Sequence, residues 1–173
     1  PNLHLSDIEG HFVFLKPTYL IAGDITDVSI ERLSQDGIKG LILDLDSTLM
    51  APKSAYISPE AKAWLEKALT FFQVAIASNN HNEEYLDKVR LILNIVVIGN
   101  AAKPSRKAFR KLLADFALKP EQVAVIGDRP LTDIWGGHRA GMKTVLVRTL
   151  KTMQEPEWKQ SVRNLERIFI QPN

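Results

Sequence analysis

The chain has 173 residues, of which 45% are hydrophobic and 24% charged. This balance is typical of a soluble globular protein, and we predict a single domain over residues 1–173 with its core at about 38–150. There is no cysteine, which excludes disulfide bonds and thiolate chemistry. A net charge of only +2, without a dense Lys/Arg run, predicts no nucleic-acid partner.

Membrane-spanning and secretory patterns are not found in the sequence. No apolar stretch approaches the roughly 20 residues that cross a bilayer. The N-terminus carries His4, Asp7 and Glu9 where a signal peptide has a basic start. We therefore expect the protein in the cytoplasm or an organelle interior, with peripheral membrane contact left open.

From about residue 29 onward, β-rich apolar runs alternate with helical patterns. Helices are predicted at 29–35, 58–71, 83–93, 105–116 and 132–140, and strands at 40–44, 73–77, 95–98, 122–126 and 144–147. Five alternations predict a parallel sheet covered by helices on both faces. Ligands of such sheets bind beyond the carboxyl ends of the strands.

Four polar clusters fall at that edge of the predicted sheet. Each one alone has a simple structural explanation, such as a solvated turn, a helix cap or a surface lysine. Together they are more informative, because all lie at the same end of consecutive parallel elements. The clusters are Asp44, Asp46, Ser47 and Thr48; Ser78, Asn79 and Asn80; Lys103 and Pro104; and Gly127, Asp128 and Asp133.

Attack of a carboxylate on a phosphate ester gives these residue types a common purpose. Like charges repel by about 4 kcal/mol per unit pair at about 4 Å and an effective dielectric of roughly 20, so cations are needed. Mg²⁺ prefers oxygen ligands, which Asp44, Asp128 and the backbone carbonyl of Asp46 can provide. Lys103, the Ser78 hydroxyl and backbone N–H groups can bind the phosphoryl oxygens.

The remaining acidic residues have predicted roles around the nucleophile Asp44. Asp46 would protonate the leaving alcohol and then activate water as general acid/base. Asp133 would orient Lys103 or metal-bound water from behind the metal ligands.

In combination the clusters resemble the four ordered motifs of the haloacid dehalogenase (HAD) superfamily, specifically its phosphatases. Within it, the capless IIIA-type, YqeG-like group, related to phosphatidylglycerophosphate phosphatases, is the most similar. The resemblance implies a three-layer Rossmann-like sheet in the order 5-4-1-2-3, an Asp44 nucleophile, an Asp46 acid/base and Mg²⁺. It also implies phosphate binding by Ser78, Asn79 and Lys103, with Thr48 and Asp133 behind the ligands. The motifs are Asp44-Leu45-Asp46-Ser47-Thr48, Ser78-Asn79-Asn80, Lys103-Pro104 and Gly127-Asp128-Arg129-Pro130-Leu131-Thr132-Asp133.

The spacing between the motifs leaves no room for a cap domain, so we expect a large substrate. Phosphatidylglycerol phosphate, a phospholipid-biosynthesis intermediate, is favoured by the resemblance. Two segments could contact a membrane. The first is the apolar run 11–20, for which packing in the core is an equal alternative. The second is a basic amphipathic helix near the C-terminal end, for which packing on the sheet is the stronger alternative. That helix carries Trp158, Val162, Leu165 and Phe169 beside Lys159, Arg163 and Arg167.

Two alternatives remain open at this point. The same chemistry would serve a phosphoprotein, a nucleotide or a sugar phosphate. The second alternative is a non-catalytic signalling domain that is phosphorylated on aspartate, like a response-regulator receiver. Receivers carry that aspartate after the third strand, whereas the third predicted strand here is followed by Gly99 and Asn100, without a carboxylate.

Overall fold

The computed structural model describes residues 13–150 and contains one six-stranded parallel sheet. The strands are β1 (Tyr19–Leu20), β2 (Gly40–Leu43), β3 (Gln73–Ala77), β4 (Val96–Ile98), β5 (Val123–Gly127) and β6 (Lys143–Leu146). Their spatial order is β1-β6-β5-β2-β3-β4. The predicted α/β fold class is confirmed, and the five predicted strands lie in the predicted order.

The predicted number of strands was wrong, because β1 adds a sixth strand outside β6. Two residues are too few to show a strand periodicity in the sequence. The pairing is fixed by reciprocal hydrogen bonds, in which the Thr18 N–H donates to the Thr144 hydroxyl oxygen at 3.0 Å and the Thr144 N–H donates to the Thr18 hydroxyl oxygen at 3.1 Å. This edge strand therefore depends on a long-range contact.

Five α-helices connect the strands: α1 (Ile30–Gln35), α2 (Pro59–Phe71), α3 (Glu83–Leu93), α4 (Lys107–Phe116) and α5 (Trp135–Arg139). Side-chain oxygens of Ser29, Ser58 and Asn82 cap the first three by accepting a backbone N–H three residues later. The helix predicted at 132–140 instead begins as a π-helical turn over Pro130–Ile134, which precedes α5.

Strand β2 lies at the centre of the sheet and separates two apolar cores. Leu41 and Leu43 point into the core formed with α1, α2 and α3, whereas Ile42 points into the core formed with α4. All three are 0% exposed. Burial on both faces explains the uninterrupted apolar run of this strand, and it places the end of β2 in the middle of the site edge.

The described part of the apolar N-terminal segment packs against α5. Leu15 is buried beside Ile134 and Leu146, and the Phe14 ring lies 5.3 Å from that of Trp135. The His138 ring contacts the Lys16 carbonyl oxygen, with Nε2 at 2.7 Å. Core packing is thus present for Leu15, and membrane contact by this segment stays a prediction.

The amphipathic helix predicted around residues 158–169 lies outside the described residues. Within 13–150, no helix is long and apolar enough to cross a bilayer.

Candidate active site

The carboxyl edge of the sheet brings together acidic residues from separate parts of the chain. Asp44 follows β2, Asp128 follows β5 and Asp133 lies in the π-helical turn. One carboxylate oxygen from each lies within 4.8 Å of the others. Asp128 and Asp133 are buried, while Asp44 is partly accessible from solvent. The edge therefore combines a buried acidic pair with one carboxylate that a ligand can reach.

Lys103 connects two of these carboxylates from a position between β4 and α4. Its Nζ lies 2.6 Å from Asp44 Oδ1 and 2.6 Å from Asp133 Oδ1, and its side chain is only 2% exposed. Burial by itself lowers the pKa of Lys103, but the charges of Asp133 and Asp44 outweigh it and raise the pKa above the ordinary lysine value. Lys103 is therefore a fixed positive charge at the site.

Asn79 holds the backbone that carries this lysine. Its Nδ2 donates to the Lys103 carbonyl oxygen at 3.0 Å, and its Oδ1 accepts from the Lys103 N–H at 2.7 Å. Both the amide nitrogen and the amide oxygen of Asn79 are thus hydrogen-bonded to the backbone of Lys103. Phosphate binding by Asn79 stays a prediction, whereas its positioning of the lysine segment is visible.

Asp133 uses both of its oxygens within the site. Oδ1 accepts from Lys103, and Oδ2 accepts from the Arg129 N–H at 3.2 Å. Burial, with the nearby charges of Asp44 and Asp128, raises the pKa of Asp133, and Lys103 offsets part of that rise. Gly127 leaves space for this carboxylate, since a Cβ atom there would lie 2.3 Å from Asp133 Cγ.

Two threonine hydroxyls contact the acidic residues. Thr48 Oγ1 lies 3.2 Å from Asp44 Oδ2 and 3.4 Å from Asp128 Oδ1, so its single proton can serve either carboxylate. Thr149 donates to Asp128 Oδ2 at 2.8 Å. Sequence reasoning missed Thr149; its only signal was a hydroxyl residue just beyond the last strand.

The Asp46 carboxylate has a separate set of partners. Oδ1 accepts from the Tyr85 hydroxyl at 2.9 Å and from the Lys53 N–H at 3.2 Å, and Oδ2 accepts from Asn80 Nδ2 at 3.0 Å. Leu45, between the two aspartates, is fully buried, whereas Asp44 and Asp46 are both partly exposed. The sequence interpretation assigned no role to Tyr85 or Lys53.

Ser78 lies at the end of β3, where its backbone is tied to the next strand. Its N–H donates to the Ile98 carbonyl and its carbonyl accepts from the Ala101 N–H, each at 2.9 Å. The hydroxyl oxygen accepts from the Asn80 N–H at 3.0 Å, and the residue is 2% exposed. Phosphate binding by its hydroxyl stays a prediction.

The oxygen atoms of the acidic cluster suit a divalent cation. Asp44, Asp128 and Asp133 each offer one carboxylate oxygen to such an ion. Hard cations take oxygen ligands, and opposite ligands of Mg²⁺ lie about 4.2 Å apart at bond lengths of about 2.1 Å. The spread of the three oxygens, within 4.8 Å, is close to that span. The donor set therefore fits such an ion.

Known proteins are similar to this chain in sequence and in fold. Residues 100–165 match a family model described as HAD-hydrolase-like. The probable phosphatase YqeG of Bacillus subtilis is 38% identical over 125 residues, which are 72% of each protein.

Two further relatives match more of the chain but are longer proteins. Phosphatidylglycerophosphate phosphatase 1 is 30% identical in Arabidopsis thaliana and 32% identical in Chlamydomonas reinhardtii, over 85% and 88% of this chain. The chain spans only 45% and 60% of those proteins.

Solved structures agree on the fold. A protein of Listeria monocytogenes superposes with a TM-score of 0.54 at 21% identity, covering 69% of this chain and 85% of its own. The cobalt-bound deoxy-D-mannose-octulosonate 8-phosphate phosphatase of Haemophilus influenzae superposes with a TM-score of 0.51 at 17% identity, covering 78% and 90%. With the 38% identity to YqeG over most of both chains, these matches show that the chain is a phosphatase of the HAD superfamily.

Proposed function

We propose that this phosphatase uses Mg²⁺ and an aspartyl-phosphate intermediate on Asp44 to hydrolyse phosphatidylglycerol phosphate. The observation that carries the chemistry is the contact of 2.6 Å between Asp44 Oδ1 and the buried Lys103 ammonium, beside Asp128 and Asp133. A nucleophilic carboxylate next to a permanent positive charge can approach an anionic phosphate. Carboxylate nucleophiles of this kind form covalent intermediates that divide one difficult step into two.

In the first step, a carboxylate oxygen of Asp44 attacks phosphorus and the ester P–O bond breaks. Asp46 donates its proton to the leaving oxygen, which departs as an alcohol. Lys103 neutralises charge on the phosphoryl oxygens while remaining bound to Asp133, which fixes its direction. The products of this step are the free alcohol and phospho-Asp44.

In the second step, water attacks phosphorus and the bond between phosphorus and Asp44 breaks. Asp46, now ionised, accepts the proton from that water. Inorganic phosphate leaves, and both aspartates return to their initial states. Asp46 thus acts as an acid in the first step, where the leaving group needs a proton, and as a base in the second, where water must lose one.

Asp44, Asp128 and the Asp46 backbone carbonyl would hold the metal ion, with Asp133 behind them. When bound, Mg²⁺ supplies electrostatic stabilisation to the phosphoryl oxygens and shields the nucleophile from them. The three carboxylate oxygens of the acidic cluster, within 4.8 Å of one another, support this proposal, and a structurally similar phosphatase is known in a cobalt-bound form.

The lipid substrate is supported by relatives and by the openness of the site. Two relatives are phosphatidylglycerophosphate phosphatases. Between Thr48 and Lys103, all of which is described, the helices and strands are α2, β3, α3 and β4, and none of them forms a cap. An uncapped site must take its exclusion of water from the substrate or from a surface. A headgroup presented at a membrane meets that need.

The relatives also bear on location. Their names assign them to chloroplasts or to chloroplasts and mitochondria. These names support an organelle interior as the location that we propose, with the cytoplasm as the alternative and with peripheral contact with a membrane.

Phosphate release from phosphatidylglycerol phosphate in mixed micelles tests the proposal. Release should require Mg²⁺ and vanish in Asp44→Asn, and Asp46→Asn should be severely impaired. Asp115→Asn is the matched control, because Asp115 is an exposed α4 carboxylate paired only with Lys111 among the described contacts. Equal turnover by Asp44→Asn would exclude the mechanism.

The same assay decides the substrate. Soluble esters are run in parallel: a phosphoserine peptide, a nucleotide and a sugar phosphate. A higher kcat/KM for any of these than for the lipid would remove the lipid proposal and leave the phosphatase chemistry intact.

A further inference from the structure

We propose that Tyr85 is a positioning residue that orients the acid/base Asp46, and that its hydroxyl matters most for esters with poor leaving groups. This inference rests on the proposed function, because it concerns the residue assigned there to proton transfer. Tyr85 lies 39 positions from Asp46 and belongs to none of the four sequence motifs.

Both oxygens of the Asp46 carboxylate accept hydrogen bonds, and no donor is shared between them. The Tyr85 hydroxyl and the Lys53 N–H hold Oδ1 at 2.9 and 3.2 Å, and Asn80 Nδ2 holds Oδ2 at 3.0 Å. A carboxylate bound at only one oxygen can still rotate about its Cβ–Cγ bond. Donors on both oxygens define the plane of the group and therefore the direction in which it presents a proton.

The rest of the protein holds Tyr85 in place. The residue lies in the first turn of α3 and is 7% exposed, and Asn82 caps that turn by accepting the Tyr85 N–H at 3.1 Å. Leu86 and Val89 anchor the same helix in the core at 0% exposure. The position of the Asp46 carboxylate is therefore fixed by a packed helix as well as by its own loop.

The tyrosine hydroxyl stays protonated and able to donate. Burial and the charge of Asp46 raise the pKa of Tyr85 above the ordinary tyrosine value. The Tyr85 hydroxyl therefore remains a neutral donor to Asp46 Oδ1.

The consequence is a dependence on leaving group. An alkyl phosphate expels a strongly basic alkoxide and needs the proton from Asp46 during P–O cleavage. An aryl phosphate such as p-nitrophenyl phosphate expels a stable phenolate and does not. Misorientation of Asp46 should slow cleavage of the first ester much more than of the second.

Kinetics of Tyr85→Phe test this, with glycerol phosphate and p-nitrophenyl phosphate as the two esters and kcat/KM as the measure. We expect a loss of about tenfold for the alkyl ester, a part of the roughly 10²–10⁴-fold contribution of general acid–base catalysis. The aryl ester should change less than about twofold. In an Asp46→Asn background, Tyr85→Phe should cause no further loss, because the hydroxyl acts through Asp46.

Tyr19→Phe is the matched control. It also removes a tyrosine hydroxyl that donates to an aspartate, at 2.8 Å to Asp36, but at the β1 edge. It should leave both esters unchanged. If Tyr85→Phe does not fold, Asn80→Ala removes the donor to the other oxygen and should give the same selectivity.

The outcomes separate this inference from the proposed function. Equal losses on the two esters, no loss, or an additive loss in the Asp46→Asn background would overturn the role of Tyr85 while the enzyme remains a phosphatase. A wild-type protein that cleaves neither ester nor the lipid with Mg²⁺ would overturn the proposed function itself, and the inference with it.

Discussion

The hydroxyl of Thr149 donates a 2.8 Å hydrogen bond to Asp128 Oδ2, which joins the chain beyond β6 to the acidic cluster at the end of β5. The neighbouring backbone strengthens this connection, since the Leu150 N–H donates to the Ser47 carbonyl at 2.8 Å. Asp128 is 0% exposed and depends on such donors for its orientation. The end of the described chain is therefore part of the support of the metal site that we propose.

Replacing Thr149 with valine should weaken metal binding. The change keeps the shape of the side chain but removes the donor to Asp128, and loss of a residue that orients a metal ligand costs about tenfold or more in metal affinity. Mg²⁺ affinity measured by titration calorimetry checks this without reference to turnover. Thr70→Val is the control, because the Thr70 hydroxyl, at an exposed position of α2, donates only to the Lys67 carbonyl among the described contacts. Unchanged Mg²⁺ affinity in Thr149→Val would contradict the proposed support.

Lys103→Met should damage both stability and catalysis. It leaves the Asp44 and Asp133 oxygens facing each other without the ammonium that now lies 2.6 Å from each. Removing one partner of a buried ion pair costs about 3–5 kcal/mol in unfolding free energy. Loss of a preorganised charge at a reaction centre lowers kcat by about 10²–10³-fold. Urea unfolding and phosphate release measure the two effects.

Lys111→Met provides the comparison for that variant. Lys111 pairs with Asp115 on the exposed surface of α4, where its side chain is 62% exposed. Exposed pairs of this kind contribute little to stability. If both variants lost similar stability, the Lys103 pair would not have the importance that its burial indicates.

Gly127→Ala should inactivate the enzyme by displacing Asp133. The new Cβ would lie 2.3 Å from Asp133 Cγ, a distance that forces the carboxylate away from Lys103. A shift of about 1 Å in a reacting group can cost about a hundredfold in rate. Gly37→Ala separates this clash from backbone strain, because Gly37 has φ +83° and no atom within 4 Å of an added Cβ. Gly37→Ala should lower stability but leave kcat unchanged, whereas Gly127→Ala should lower kcat as well as stability.

The edge strand β1 should make stability sensitive to pH through Tyr19. Burial and the hydrogen bond to Asp36 raise the pKa of Tyr19 to about 12. A raised folded pKa stabilises the protein below the unfolded value of about 10, and the contribution disappears as pH rises through about 12. For Asp36, the hydrogen bond from Tyr19 lowers the pKa, so its contribution is present at neutral pH and lost in acid.

Comparison of wild type with Tyr19→Phe measures that contribution. The wild type should be more stable to urea at pH 7, and the difference should shrink as pH rises above about 10. Absorbance at alkaline pH should also lose the titration step near 12. A stability difference that stayed constant across this range would show that the hydroxyl acts by some route other than its hydrogen bond.

The order of elements and the location of the site follow from sequence alone. Strands such as β2 are buried on both faces, so their residues are apolar without interruption, and helix starts such as Ser58-Pro59 carry local capping signals. These patterns depend only on neighbouring residues. Because parallel strands all end at one edge, the polar residues after each strand had to meet there, and Asp44, Asp128, Asp133 and Lys103 do meet.

Only the tertiary structure decided which side chains contact which. Tyr85 reaches Asp46 because α3 packs at a particular rotation, and Thr149 reaches Asp128 because β6 lies beside β5. Strand β1 and the π-helical turn likewise depend on contacts with distant residues. A hydrogen bond is sensitive to fractions of an ångström and to angle, and these are set by core packing over the whole molecule rather than by local periodicity.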